Sequence, residues 1–158
     1  MRTGIGYDVH RLKAGRRLVL GGVTIEHFAG LEGHSDADVL VHAIMDALLG
    51  AAGLSDIGVY FSNTDMQYKD ISSIILLGKV KDLVRDAGYE ILNIDSVVIL
   101  EEPKISPYIP LMKINISGAL EISVDQIGIK ATTSEGLGFC GTKEGAAAQS
   151  VALLAPIM

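Results

Sequence analysis

Two stretches near the N-terminus bring carboxylates and imidazoles together at spacings a metal ion can use. In Gly4-Ile-Gly-Tyr-Asp8-Val-His10, Asp8 and His10 stand two apart, so on a strand both side chains leave the same face. In Asp38-Val-Leu-Val-His42-Ala-Ile-Met-Asp46 the polar residues recur at every fourth position inside apolar sequence, and on a helix they form one stripe. Such a stripe on a buried helix demands partners, because unpaired polar burial costs several kcal/mol. Asp8, His10 and His42 offer two imidazoles and one carboxylate, the donor set of a catalytic zinc site with a fourth position open to substrate or water. The same spacing fits a buried His42 hydrogen-bonded to Asp46, with Asp8-Val-His10 in a loop. On the residues alone both readings stand.

Two further clusters carry chemistry. His34-Ser35 precedes the apolar helix, where Ser35 can cap the helix end, or where the free amides and His34 can hold a phosphate. In Lys130-Ala-Thr-Thr-Ser-Glu135, adjacent hydroxyls end a strand and a carboxylate follows, a set able to hold phosphate oxygens and a hard cation such as Mg²⁺. Thr132-x-x-Glu135 also fits a helix capping box. Gly136-Leu-Gly138-Phe-Cys-Gly141 matches the dinucleotide fingerprint, but only 17 residues follow Gly141, too few for the helix, strand and acidic residue that the fingerprint requires. These glycines read instead as a loop whose backbone approaches a ligand. Lys104, in a proline-stiffened loop, reads as exposed or as a nucleotide contact, and Cys140 as a packing residue.

Around these groups the chain is acidic. All four histidines fall within the first 42 residues, and from Leu18 to Tyr68 there are seven acids and no Lys or Arg. The stretch suits a cation site or a solvated acidic face. The net charge of −6 argues against a nucleic-acid-coating protein. The low charged fraction, 20%, and a mean hydropathy of +0.38 hint at apolar surface covered by other subunits. No apolar segment reads as a signal peptide or membrane span, and a lone cysteine forms no internal disulfide, so a cytosolic protein or a processed organellar one is expected.

The elements that must position these residues follow from the pattern. The 158 residues suit one domain, residues 1–158. Thr3–His10 reads as a strand, and Arg17–Ile25 as a hairpin about Gly21-Gly22. A helix capped by Ser35 or Asp36 runs to about Leu49 and closes at Gly50 or Gly53. A second runs from Ser72 or Ser73 to Ala87, with Gly88 beyond it. Ile91–Leu100 and Ile127–Thr133 are strands, and Pro103, Pro107 and Pro110 bracket a loop leading to a helix that ends at Leu120. Gly145–Ile157 can be helix or buried strand. This order without a strict βαβ repeat predicts a mixed sheet with helices on one face.

Taken in order, Gly4-x-Gly-Tyr-Asp8-Val-His10, Gly33-His-Ser-Asp-Ala-Asp38, His42-Ala-x-x-Asp46-Ala-Leu-Leu-Gly50, Ser55-Asp-Ile-Gly58 and Lys130-Ala-Thr-Thr-x-Glu135-x-Leu-Gly-Phe139 resemble the 2-C-methyl-D-erythritol 2,4-cyclodiphosphate synthase family over essentially the whole chain. The resemblance implies an α+β fold (an α/β sandwich) whose four-stranded mixed sheet carries helices on one face, with the last segment a strand. It implies a homotrimer with active sites between subunits, converting 4-diphosphocytidyl-2-C-methyl-D-erythritol 2-phosphate to the cyclic diphosphate and CMP. Asp8, His10 and His42 match zinc ligands, and Glu135 matches a residue that helps bind Mg²⁺ or Mn²⁺ with the diphosphate. His34 and Thr133 match positions that stabilise the transition state. Ser35, Asp56, Gly58 and the loop Phe61, Ser62, Asn63, Thr64 and Asp65 match substrate contacts. Leu100, Pro103, Lys104, Ile105, Ser106, Ala131, Thr132, Ser134, Phe139 and Thr142 fall on the cytidine and diphosphate side. Three positions depart from the family's usual pattern: Gly136 for lysine, Ser62-Asn63 for Pro-Asp, and Thr142 for an arginine facing the trimer's centre. The rivals are another metal-dependent phosphohydrolase and a non-catalytic nucleotide- or metal-binding module.

Overall fold

A computed structural model describes all 158 residues. Strand β1 (Arg2–Ala14) pairs antiparallel with the last strand, β7 (Gly145–Pro156), over Arg2–Arg11. Its final residues, Leu12–Ala14, pair with β4 (Ala29–Leu31). β5 (Tyr89–Ile99) lies antiparallel to β7 and parallel to β6 (Ile127–Thr132), giving a mixed sheet in the order β4-β1-β7-β5-β6. The expected count of four strands is therefore corrected to five. The extra strand exists because β1 outruns β7 and its overhang finds its own three-residue partner. The hairpin β2 (Leu18–Leu20) and β3 (Val23–Ile25) turns at Gly21 and Gly22, both at positive φ.

The helices are α1 (Val39–Ala52), α2 (Ile57–Tyr60), α3 (Ser73–Asp86), α4 (Ile109–Leu120) and α5 (Gly138–Gly141). α1 is the core of the molecule: of its residues only Asp46 and Gly50 are not buried. It lies on β1 and β7, with α3 beside it and α4 packed against α3. The sequence makes this close approach possible. A Cβ on Gly4 would stand 2.1 Å from the Ala47 carbonyl oxygen, and one on Gly6 1.9 Å from that of Ala43. Below α1, β7 presents Ala146, Ala148, Ser150 and Ala152, all small and buried. The ambiguous last segment is thus a strand whose alanines are there to seat a helix.

The cap of α1 differs from expectation. Asp38, not Ser35 or Asp36, is the N-cap, accepting from the Val41 amide at 3.1 Å. The same buried carboxylate accepts from Gly21 and Gly22 at 3.0 and 2.8 Å, tying the hairpin turn to the helix. Burial and the neighbouring Asp36 charge push Asp38 up to about 6, against the pull of these three amides. The expected helix end at Gly53 holds, at φ 77°, with its amide turned back to Gly50 and Leu49.

The sheet's other face is bare. On β1 the even residues meet α1, so Ile5, Tyr7 and Val9 point away, and with Val151 of β7 they are 43–63% exposed.

Candidate metal centre and substrate cavity

Alternation on β1 sends Asp8 and His10 to the helix side, and the glycines at 4 and 6 let α1 descend until His42 meets them. His10 Nε2 lies 2.9 Å from Asp8 Oδ2, His42 Nδ1 lies 3.1 Å from the same oxygen, and the two nitrogens are 3.1 Å apart. Donors held about 2.0–2.1 Å from one tetrahedral ion are about 3.3 Å from each other, so the triangle has the size of a metal site. Of the cysteine, histidine and acidic side chains, these three alone converge in this way.

The surroundings prepare the donors. His10 Nδ1 lies 2.8 Å from the Glu32 carbonyl oxygen. A carbonyl can only accept, so Nδ1 carries the proton and the neutral ring turns its Nε2 lone pair to the triangle. Burial alone would raise the Asp8 carboxyl, but the two imidazoles beside it outweigh that and hold it at about 2. His10 is raised, because the bond and charge of Asp8 overcome its desolvation. The alternative in which His42 bonds to Asp46 is not formed. Asp46 instead accepts the Ile57 amide at 2.9 Å and fixes the start of α2.

Beside the triangle opens a cavity of about 330 Å³ lined by Asp8, His10, His34, Ser35, His42, Met45, Gly58, Phe61 and Asn63, among others. Arg16 holds its rim: Nη2 donates to the carbonyls of Gly33 and Ser35 at 3.0 and 2.8 Å, fixing the turn that presents His34. His34 Nε2 lies 2.9 Å from the Asp65 carbonyl, and its own carbonyl accepts the Asp70 amide at 2.9 Å, so it tethers the loop over the cavity. In that loop Ser62 Oγ and Thr64 Oγ1 are 2.8 Å apart, and Asp65 is tied to Gln67. Asp56 caps α2 through the Gly58 amide. At the N-terminus of α1 the Asp38 carboxylate takes the Val41 amide.

The second cluster lies elsewhere. Asp8, Ala148, Val98 and Ala131 share one register line across β1, β7, β5 and β6. Three strand spacings, about 14 Å, therefore separate Asp8 from Ala131. Ala131, Thr132, Thr133 and Glu135 are exposed there, and no capping box forms: no helix starts at Thr132, and Thr133 Oγ1 accepts the Glu135 amide. Ser134 is bound to Glu101 and to the Leu137 carbonyl. Pro103, Lys104 and Ser106 line the nearby loop, whereas Leu100 and Ile105 belong to the core. Phe139 and Thr142 are exposed, Thr142 being bonded to Glu144, and Cys140 is buried as expected. The turn itself requires these glycines. Gly136 and Gly138 have positive φ, and a Cβ on Gly141 would meet the Gly136 backbone at 2.1 Å.

The YgbB family model matches residues 1–155. The chain belongs to the YgbB family. Among its relatives is the 2-C-methyl-D-erythritol 2,4-cyclodiphosphate synthase of Clostridium kluyveri, 60% identical over 98% of this chain and 94% of the relative. That of Syntrophomonas wolfei is 56% identical over 98% of both. Solved structures agree: the bifunctional IspDF of Campylobacter jejuni superposes with a TM-score of 0.95 at 45% identity, covering 99% of this chain and 42% of that one. Plasmodium falciparum IspF in complex with CDP gives 0.87 at 37% identity, over 99% and 97%. What sequence reasoning missed around the centre was Arg16, the Glu32 carbonyl and the seat for α1. Only the last had a signal, the alternate glycines at 4 and 6.

Proposed function

We propose that the protein is a metal-dependent 2-C-methyl-D-erythritol 2,4-cyclodiphosphate synthase, closing 4-diphosphocytidyl-2-C-methyl-D-erythritol 2-phosphate to the cyclic diphosphate with release of CMP. The triangle of Asp8, His10 and His42 beside a cavity carries the reading, together with family membership. In the reaction a 2-phosphate oxygen of the substrate attacks the β-phosphorus, and the bond from that phosphorus to the bridging oxygen breaks, its electrons leaving with CMP. No protein nucleophile is required, because the attacking oxygen belongs to the substrate. Catalysis is then positioning and charge neutralisation.

Asp8, His10 and His42 would hold Zn²⁺, which supplies Lewis-acid polarisation of a phosphoryl oxygen. His34 and the Ser35 turn face the reacting phosphates, and the loop from Phe61 to Asp65 closes over the methylerythritol. Thr133 and Glu135, the latter with Mg²⁺ or Mn²⁺, would hold the diphosphate on the cytidine side. The two halves of one chain stand about 14 Å apart by strand spacing. A complete site would therefore join the metal half of one subunit to the cytidine half of another, in a homotrimer whose interior is the bare sheet face of Ile5, Tyr7, Val9 and Val151. No helix is long and apolar enough to cross a membrane, and the cytoplasm suits a cytidine-linked substrate.

Phosphorus NMR of purified protein with the cytidyl substrate tests the proposal. The cyclic diphosphate and CMP should appear together, and their appearance should stop on chelation. Hydrolysis of simple phosphodiesters without cyclisation would instead favour a metal-dependent phosphohydrolase.

A further inference from the structure

His42 differs from His10 in how its second nitrogen is held. His42 Nε2 has two hydroxyl neighbours, Ser73 Oγ at 3.0 Å and Ser35 Oγ at 3.2 Å. A hydroxyl can donate or accept, so either one alone would leave the proton of His42 undecided. Ser73 is not free to choose. Its hydroxyl lies 2.5 Å from Asp36 Oδ1, and the Asp36 carboxylate also accepts the amides of Ser73 at 2.9 Å and of Asp38 at 3.1 Å. A carboxylate accepting two backbone amides is held as an acceptor, so the Ser73 proton goes to Asp36. Only a lone pair of Ser73 Oγ then faces His42. Ser73 is fully buried, at 0% exposure, so no water competes for that lone pair.

We propose that Asp36 and Ser73 are positioning residues of the metal centre: the hydrogen-bonded series Asp36–Ser73–His42 fixes the proton of His42 on Nε2 and so keeps its Nδ1 lone pair on Asp8 and His10. Neither residue touches the substrate cavity's reacting groups, and both act through the ring of His42. The series also couples the centre to the fold. Ser73 opens α3, whose first amide is satisfied by Asp36 rather than by the side chain of Ser72. Two separate segments, the turn before α1 and the start of α3, therefore meet on one imidazole. His10 achieves the same end with a backbone carbonyl, which needs no proton control because it can only accept.

The inference rests on Asp8, His10 and His42 being metal ligands, and its test separates the two claims. Zinc affinity is measured by competition with a chromophoric chelator for the wild type, Ser73→Ala and Asp36→Asn. The tautomer of His42 is read from nitrogen NMR shifts of histidine-labelled, zinc-free protein at alkaline pH. Outer-shell partners of a ligating histidine are typically worth 10–100-fold in affinity, so Ser73→Ala should weaken zinc by about that factor and mix the two tautomers. Asp36→Asn leaves no cavity but frees the Ser73 proton, so it should shift the tautomer in the same direction with a smaller affinity loss. Circular dichroism checks that each variant is folded. If Ser73→Ala does not fold, Asp36→Asn carries the test through the same two readouts. Wild-type zinc affinity and an unmixed Nε2–H signal in Asp36→Asn would overturn the inference, as would an Nδ1–H tautomer in the wild type. A wild type that binds no divalent metal would overturn the ligand assignment, and the inference with it. If the wild type binds zinc and forms the cyclic product while both variants match it, only the positioning role falls.

Discussion

Replacing Gly6 by alanine tests whether the metal centre depends on how closely α1 lies on β1. The new methyl group would sit 1.9 Å from the Ala43 carbonyl oxygen. Carbon–oxygen contacts settle at about 3.3 Å, so α1 must rise by about 1.4 Å at the turn that carries His42. The obstacle is helix backbone, so no side-chain rotation relieves it. Two donors bound to one ion at about 2.1 Å each can be at most about 4.2 Å apart. His42 Nδ1 lies 3.1 Å from Asp8 Oδ2 and from His10 Nε2; lifted straight off that pair by the full rise it stands about 4.4 Å from each, outside that limit. Gly6→Ala should therefore weaken zinc by more than about 100-fold, beyond what an outer-shell change does. In chelator, where no metal contributes, it should destabilise the fold by about 3 kcal/mol, the upper end of overpacking. Urea unfolding and chelator competition measure the two effects separately. Gly50→Ala is the control in the same helix, since its Cβ meets only the Ile5 carbonyl, at 3.9 Å. It should leave zinc affinity unchanged and gain about 0.5–1 kcal/mol from lost chain entropy in the unfolded state. Wild-type zinc affinity in Gly6→Ala, with a stability loss under about 1 kcal/mol, would refute the reasoning.

His42→Ala should lose zinc and cyclisation together; elemental analysis beside turnover checks this, and full activity in a zinc-free variant would remove His42 from the ligand set. Mixing refolded His42→Ala and Glu135→Ala chains tests sites shared between subunits. Random assembly places an intact metal half against an intact cytidine half at about one interface in four, so about a quarter of wild-type activity should return from two inactive parents, and no recovery would place both halves in one subunit. Ile5→Glu puts a charge on the bare sheet face and should shift sedimentation from trimer to monomer. Asp38 makes stability fall as pH rises. Its folded pKa, about 6, lies above the ordinary 3.8, so the folded state binds the proton more tightly and loses that advantage between those values. Against Asp38→Asn, which does not titrate, the wild type should lose on the order of 3 kcal/mol of relative stability between pH 4 and 7; a constant difference in urea unfolding across that range would show that the carboxyl is not raised.

The centre was legible in the sequence because its proposed ligands obey local periodicities. Asp8 and His10 share a strand face at a spacing of two, and His42 lies on the stripe of an apolar helix. What spacing could not choose was the partner of His42, since Asp46 sits on the same stripe and the competing ligands are more than thirty residues away. The choice is made by Gly4 and Gly6, which carry no functional group and act by what they lack. The cap of α1 was misplaced for a related reason. Ser35, Asp36 and Asp38 are all good N-caps, and a turn with Ala37 at φ 56° spends each on a different partner: His42, the start of α3, and the hairpin together with α1. Periodicity therefore finds the residues of such a site, while the assignment of one polar group to another is decided by close packing between distant segments. In this chain that packing runs through alternate glycines on β1 and alanines on β7, which let one buried helix carry an imidazole down to the sheet.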